Sequence, residues 1–114
     1  MFWSTRCAVC RDWMPDLRTN HGGWNDKPFA MVLVSTDARL QDVQEYGEII
    51  ARLVPAEQRF IQLWSGSPGF RSSIGLPPQL PTSYLIDKSG KVVQKYVGRI
   101  SWEEWNRIAD LVYS

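Results

Sequence analysis

Cys7 and Cys10 sit two residues apart in the stretch Phe2 to Leu17, FWSTRCAVCRDWMPDL. Two cysteines so spaced can close a small disulfide ring or stand open as a dithiol. Either state is useful only if one sulfur is reachable and easily ionised. Phe2 and Trp3 read as the end of a buried strand, Ser4 and Thr5 as a turn, and Cys7 as the first residue of a helix. A thiolate at a helix start faces unpaired backbone N–H groups and the positive end of the helix dipole. That setting can lower a cysteine pKa from about 8.5 to roughly 3.5–7.5. Arg6 and Arg11 add positive charge on both sides. Cys10, one helical turn on, lies on the same face, where its sulfur can attack a mixed disulfide formed at Cys7.

Duller readings of the pair are half a zinc site, an inert structural disulfide, or two buried thiols. A zinc site needs four ligands, and the sequence has no second cysteine pair and a single histidine, His21, so no metal is expected. Placement at a helix start beside arginine argues against inert burial. With both cysteines in one motif, none is left for a separate structural disulfide. At 114 residues, with 44% hydrophobic and 22% charged residues, the chain is expected to form one domain, residues 1–114. A net charge of +1 with mixed signs gives no pointer to nucleic acid or an anionic membrane surface. No stretch is long and apolar enough to span a bilayer, and the N-terminus does not read as a signal peptide.

The elements that must hold the pair follow from the patterning. The helix that Cys7 opens is predicted to run to about Asn20, followed by a loop over His21–Pro28. Phe29–Ser35 is an unbroken apolar run of strand length, as in a strand buried on both faces. Thr36 and Asp37 are cap candidates for a second helix over about Ala38–Leu53, with Leu40, Val43, Gly47, Ile50 and Val54 as its apolar stripe and Pro55 as its stop. Phe60–Trp64 is a short strand, and Ser65–Gly75 a loop with room for one helical turn around Phe70–Ile74. Tyr84–Ile86 and Val92–Val97 form a hairpin around Gly90. Ser101 caps a last helix whose buried stripe is Trp102, Trp105, Ile108, Ala109 and Val112. Trp13 and Trp24 are either an exposed aromatic patch or packing residues, with packing favoured, and His21 is expected to be exposed.

The first stretch resembles the active-site segment of thioredoxin-fold proteins, specifically the TlpA/ResA/DsbE-like branch, through Phe2-Trp3, Cys7, Cys10, Arg11, Met14, Pro15 and Leu17. The resemblance makes Pro15 the residue that bends the active-site helix. It also makes Leu80-Pro81-Thr82 the segment that places a cis-proline beside the cysteines, with the Leu80 backbone free to pair with a substrate strand; the alternative is an ordinary trans proline at a strand start. Gly98 matches a position near the active-site surface. The implied fold is α/β: a central mixed sheet flanked by helices, in the order strand–helix–strand–helix–strand–strand–helix, with the first strand truncated. Upstream strands and any export or anchor segment are then expected outside these 114 residues, a short genuine start at Met1 being the alternative.

The activity so implied is thiol–disulfide exchange through Cys7 and Cys10, in the reducing direction on family grounds, with Leu80 and Pro81 positioning the partner and no cofactor. Its expected partners are disulfide-containing proteins and a membrane-bound or thioredoxin-like electron donor, in a bacterial periplasm, exported or membrane-anchored, in the setting of cytochrome c maturation. Arg6 stands where the family usually has tryptophan, and either lowers the Cys7 pKa or is a solvated charge. Val9 stands where many members have proline. The fold's usual buried acid would lie on the missing strand. The alternative from another class is a non-catalytic peptide-binding module. A copper-handling Sco-type protein would need a CxxxC spacing and a distal histidine, and a thiol peroxidase a proline and threonine ahead of its cysteine.

Overall fold

The computed structural model describes every residue except Gly23, Asn25, Asp26 and Ser114, and every described side chain except those of Glu57 and Tyr113. Five strands and three α-helices follow one another as β1 (Phe2–Trp3), α1 (Ala8–Gly22), β2 (Val32–Ser35), α2 (Leu40–Leu53), β3 (Ile61–Trp64), β4 (Thr82–Ile86), β5 (Val92–Val97) and α3 (Trp102–Tyr113), with a short 3₁₀ turn at Ala56–Gln58. The strands form one mixed sheet in the order β3-β2-β1-β4-β5. β1 runs parallel to β2 and antiparallel to β4, and β2 and β3 are parallel. The α/β architecture is that expected, but the order holds one strand more than strand–helix–strand–helix–strand–strand–helix, because β3, β4 and β5 all lie between α2 and α3.

Register explains where the core sits. Phe2 pairs with Val34 and Trp3 with Ser35, so alternation puts Trp3, Leu33 and Ser35 on one face and Phe2, Val32 and Val34 on the other. The crossovers from β1 to β2 and from β2 to β3 step the same way across the sheet. Right-handed connections therefore carry α1 and α2 to the same face. Trp3 and Leu33 accordingly join Cys10, Trp13, Met14 and Leu17 of α1 and Trp105 and Ile108 of α3 in one cluster, with Tyr46 of α2 packed against it. Trp3 and Tyr46 rings lie 4.8 Å apart, and Trp24 and Trp105 5.6 Å apart. Trp13 and Trp24 are packing residues, not an exposed patch.

Several expectations are corrected. α1 extends beyond Asn20 to Gly22, because His21 falls on the helix face that carries Met14 and Leu17. His21 is therefore half-buried rather than exposed, its ring 5.3 Å from that of Phe60, and burial pushes its pKa down. The rest of the predicted loop includes Gly23, Asn25 and Asp26, which lie outside the described residues. β2 starts at Val32, not Phe29.

α2 starts at Leu40 with Arg39 in the cap position and no side-chain cap bond; Thr36 and Asp37 point elsewhere. Its inward stripe is Val43, Tyr46, Ile50 and Val54, while Leu40 and Gly47 are exposed. No helical turn forms around Phe70–Ile74, which is bracketed by Gly69 and Gly75, both at positive φ. β4 begins at Thr82, two residues early, because Thr82 pairs with Phe2 on one side and Val97 on the other. Trp102 is not part of the buried stripe of α3 but 72% exposed, since it lies in the first turn, beyond the sheet it would have to cover. Ser101 does cap α3, its Oγ accepting the Glu104 N–H at 3.2 Å.

Candidate active site

Cys7 does not open α1 but caps it. Its carbonyl accepts the Arg11 N–H at 3.1 Å, the first bond of the helix. Its Sγ accepts the Cys10 N–H at 3.2 Å, the bond a serine or aspartate oxygen makes at a helix cap. The sulfur thus lies against the N–H groups of the first turn, as the placement at a helix start predicts. Cys7 and Cys10 are joined as a disulfide, with Cα atoms 5.2 Å apart. Their exposures differ: Cys7 is half-buried, whereas Cys10 is 0% exposed and belongs to the core cluster. That asymmetry suits one sulfur to meet a partner and the other to act only from within.

The turn after β1 delivers the pair. The Cys7 N–H donates to the Ser4 carbonyl at 3.1 Å, closing the turn after β1, and the Arg6 N–H donates to Ser4 Oγ at 3.1 Å. Below this turn stands Asp37, which accepts from Ser4 Oγ, Thr5 N–H and Oγ1, and Ser35 Oγ. Burial by itself would raise the Asp37 pKa, but the bonds from Ser35, Thr5 and Ser4 outweigh it and hold the carboxyl below the usual range. The sequence places Asp37 only as a cap candidate. Besides the neighbouring Ser35, its partners Ser4 and Thr5 come from the turn after β1, more than thirty positions away, and a polar residue at a strand end is the one signal that could have pointed to it.

Leu80 and Pro81 come to the site through β4. The Phe2–Thr82 pairing is antiparallel, so continuing it sets Pro81 beside Trp3 and Leu80 beside Ser4, at the turn that leads to Cys7. The Leu80–Pro81 peptide is cis. Pro81 is buried and its carbonyl accepts the Gly98 N–H at 2.8 Å, which brings Gly98, at φ +84°, next to it. Leu80, half-buried, packs with Cys7 against the core cluster. Its backbone makes no hydrogen bond among the described residues.

Arg6 is not brought to the sulfur. Its guanidinium is 73% exposed and reaches Asp42 Oδ2 of α2 at 3.4 Å. Arg11 donates to the Thr5 carbonyl at 3.4 Å. Among the described residues no cluster of three or more His, Cys, Asp or Glu could hold a metal, and no helix is long and apolar enough to cross a membrane. A hollow of about 460 Å³ lies at the other end of the sheet, lined by Met1, Phe29, Met31, Ile86 and Trp105 among others and by neither cysteine.

No family model matches the chain. Proteins named thiol-disulfide oxidoreductase ResA from Bacillus thuringiensis and Bacillus anthracis are each 28% identical to it over 107 residues. The match takes in 90% of this chain but 56% of those relatives, so the chain spans little more than half their length. Among solved structures, a thiol:disulfide interchange protein DsbE from Chlorobium tepidum superposes with a TM-score of 0.65 at 25% identity, over 98% of this chain and 74% of that one. A structure described as a thioredoxin from Neisseria meningitidis gives 0.71 at 20% identity, over 98% and 71%. StoA from Bacillus subtilis gives 0.65 at 19%, over 92% and 78%. Alike in fold along nearly its whole length and in sequence along most of it, the chain has a thioredoxin-like fold and is similar to the ResA and DsbE thiol–disulfide oxidoreductases.

Proposed function

We propose that the chain is a thiol–disulfide oxidoreductase working through Cys7 and Cys10, in the reducing direction. The observation that carries this reading is the asymmetric pair at the head of α1, with Cys7 half-buried and capping the helix and Cys10 fully buried. The Cys7 thiolate attacks a partner disulfide, forming a mixed disulfide and releasing one partner thiolate, which takes up a proton. Cys10, deprotonated, then attacks Cys7 Sγ, breaks the mixed disulfide and releases the second partner thiolate. Two electrons pass from the dithiol to the partner, and Cys7–Cys10 is left as the disulfide. The likeness to ResA and DsbE proteins supports the reading, and the reducing direction rests on the family resemblance.

Leu80, whose backbone beside the Ser4 turn makes no hydrogen bond among the described residues, is the group that pairs with an extended partner strand, and Pro81, which has no N–H, leaves that edge open. Arg6 contributes at most a weak, solvent-screened lowering of the Cys7 pKa, because Asp42 holds its charge. The partners are disulfide-containing proteins, and the oxidised pair is recharged by a membrane-bound or thioredoxin-like dithiol donor, in the periplasm or another exported setting.

Equilibration in graded glutathione buffers, with free thiols trapped and counted, measures the couple. A potential near the thioredoxin value of about −270 mV supports a reductase, and one near about −120 mV makes the protein an oxidant. Failure to form the Cys7–Cys10 disulfide across the whole range would leave a peptide-binding module instead.

A further inference from the structure

The Asp37 carboxylate, 5% exposed, lies at the end of β2 directly against the turn that presents Cys7. It accepts Ser4 Oγ at 2.9 Å, Thr5 Oγ1 at 2.7 Å, the Thr5 N–H at 3.1 Å to each oxygen, and Ser35 Oγ. Ser4 Oγ has one proton, and giving it to Asp37 turns the oxygen's lone pairs to the Arg6 N–H. A chain of bonds thus runs from Asp37 through Ser4 to the backbone immediately before Cys7. From the other side the Trp64 indole N–H donates to the Asp37 carbonyl at 2.7 Å, tying the residue to the end of β3. The nearby charges on this rim are engaged elsewhere, Arg6 with Asp42 and Arg11 with the Thr5 carbonyl.

Burying a carboxylate is costly unless donors meet it, and here the donors that meet it belong to the Ser4–Arg6 turn. An acceptor-only group is what this convergence of hydroxyls and N–H demands. We propose that Asp37 is a positioning residue for Cys7: it locks the Ser4–Arg6 turn so that the Cys7 sulfur stays over the first-turn N–H groups of α1, where its thiolate is stabilised. This rests on the oxidoreductase reading of the pair. The bonds from Ser35, Thr5 and Ser4 also keep Asp37 ionised, hence purely an acceptor, at any pH where thiols react.

The test is the pH dependence of Cys7 alkylation by iodoacetamide in the reduced protein, read site by site by mass spectrometry. Asp37→Asn and Asp37→Ala are compared with Asp87→Asn. Asp87 holds the β4–β5 turn through the same kind of bonds, from Ser89 N–H and Oγ and Lys91 N–H, far from the cysteines in the chain. The Asp37 variants are expected to raise the Cys7 midpoint by about half a pH unit or more, or about threefold slower alkylation below it, and Asp87→Asn to leave it in place. A folded Asp37→Asn protein with an unchanged midpoint overturns the proposal. So does a lowered midpoint, which would make Asp37 a plain repelling charge. Should both Asp37 variants fail to fold, Ser4→Ala removes only the linking hydroxyl and must give the same rise; an unchanged midpoint there is equally fatal. Absence of a Cys7–Cys10 disulfide in the unaltered protein would instead overturn the oxidoreductase reading, and the midpoint comparison would still decide the role of Asp37.

Discussion

The two sulfurs differ in what can reach them, and that difference fixes how single substitutions must behave. Cys10→Ser should accumulate a mixed disulfide at Cys7 when mixed with a disulfide-bonded protein, seen as a reductant-sensitive adduct on a gel, because the buried resolving thiol is gone. Cys7→Ser should form no adduct, since Cys10 has no access. Asp37 adds an acid dependence. Its carboxyl titrates below the ordinary aspartate value of about 3.9, so it binds fewer protons folded than unfolded. The stability it contributes is complete above that value and is lost as pH falls below it. Urea midpoints taken from neutral pH down to about pH 3 should therefore decline less steeply in Asp37→Asn than in the unaltered protein. The closeness of Cys7 and Cys10 at the head of α1 was legible from their spacing, whereas Arg6, read as a tuning charge or a solvated one, is turned to Asp42. Asp37 was not legible, because an aspartate after a strand reads as a helix cap whenever its tertiary partners are unknown.

Among the elements, α1 carries both Cys10 and much of the core. Cys10, Trp13, Met14 and Leu17 repeat at helical spacing and are all buried. Pro15 lies on the exposed side of the same helix, where its missing N–H leaves the Arg11 carbonyl without its usual partner. Leu17→Ala should cost about 2–5 kcal/mol by chemical denaturation, the range for emptying a fully packed site. Gly98→Ala strains a backbone at φ +84° and should cost about 1–2 kcal/mol, with space around the added methyl offering no relief of the strain. Element type was readable because apolar periodicity survives without tertiary knowledge. The stripes were less so: period gives a face, but the end of the sheet decides how far the face is covered. Hence Trp102 projects past the core and Tyr46, polar at its tip, packs its ring on Trp3.

On the scale of the molecule, the helices draw on one face of the sheet, so Trp3 touches α1 and α2 together while Phe2 faces the other way with Val34 and Tyr84. The order β3-β2-β1-β4-β5 puts the shortest strand in the middle. On one side β1 meets β2, and on the other a single register pair, Phe2–Thr82, ties it to the β4–β5 hairpin. Sub-global opening should follow that seam, with the hairpin parting from the β1–β2–β3 half before either comes apart within itself. Native-state hydrogen exchange should then show the Thr82 amide, on the β1 side of β4, exchanging through an opening of lower free energy than the amides of Leu33 and Val34. The seam ends between Ser4 and Leu80, so the least costly breathing motion of the protein is also one that widens the cleft where a partner strand would enter.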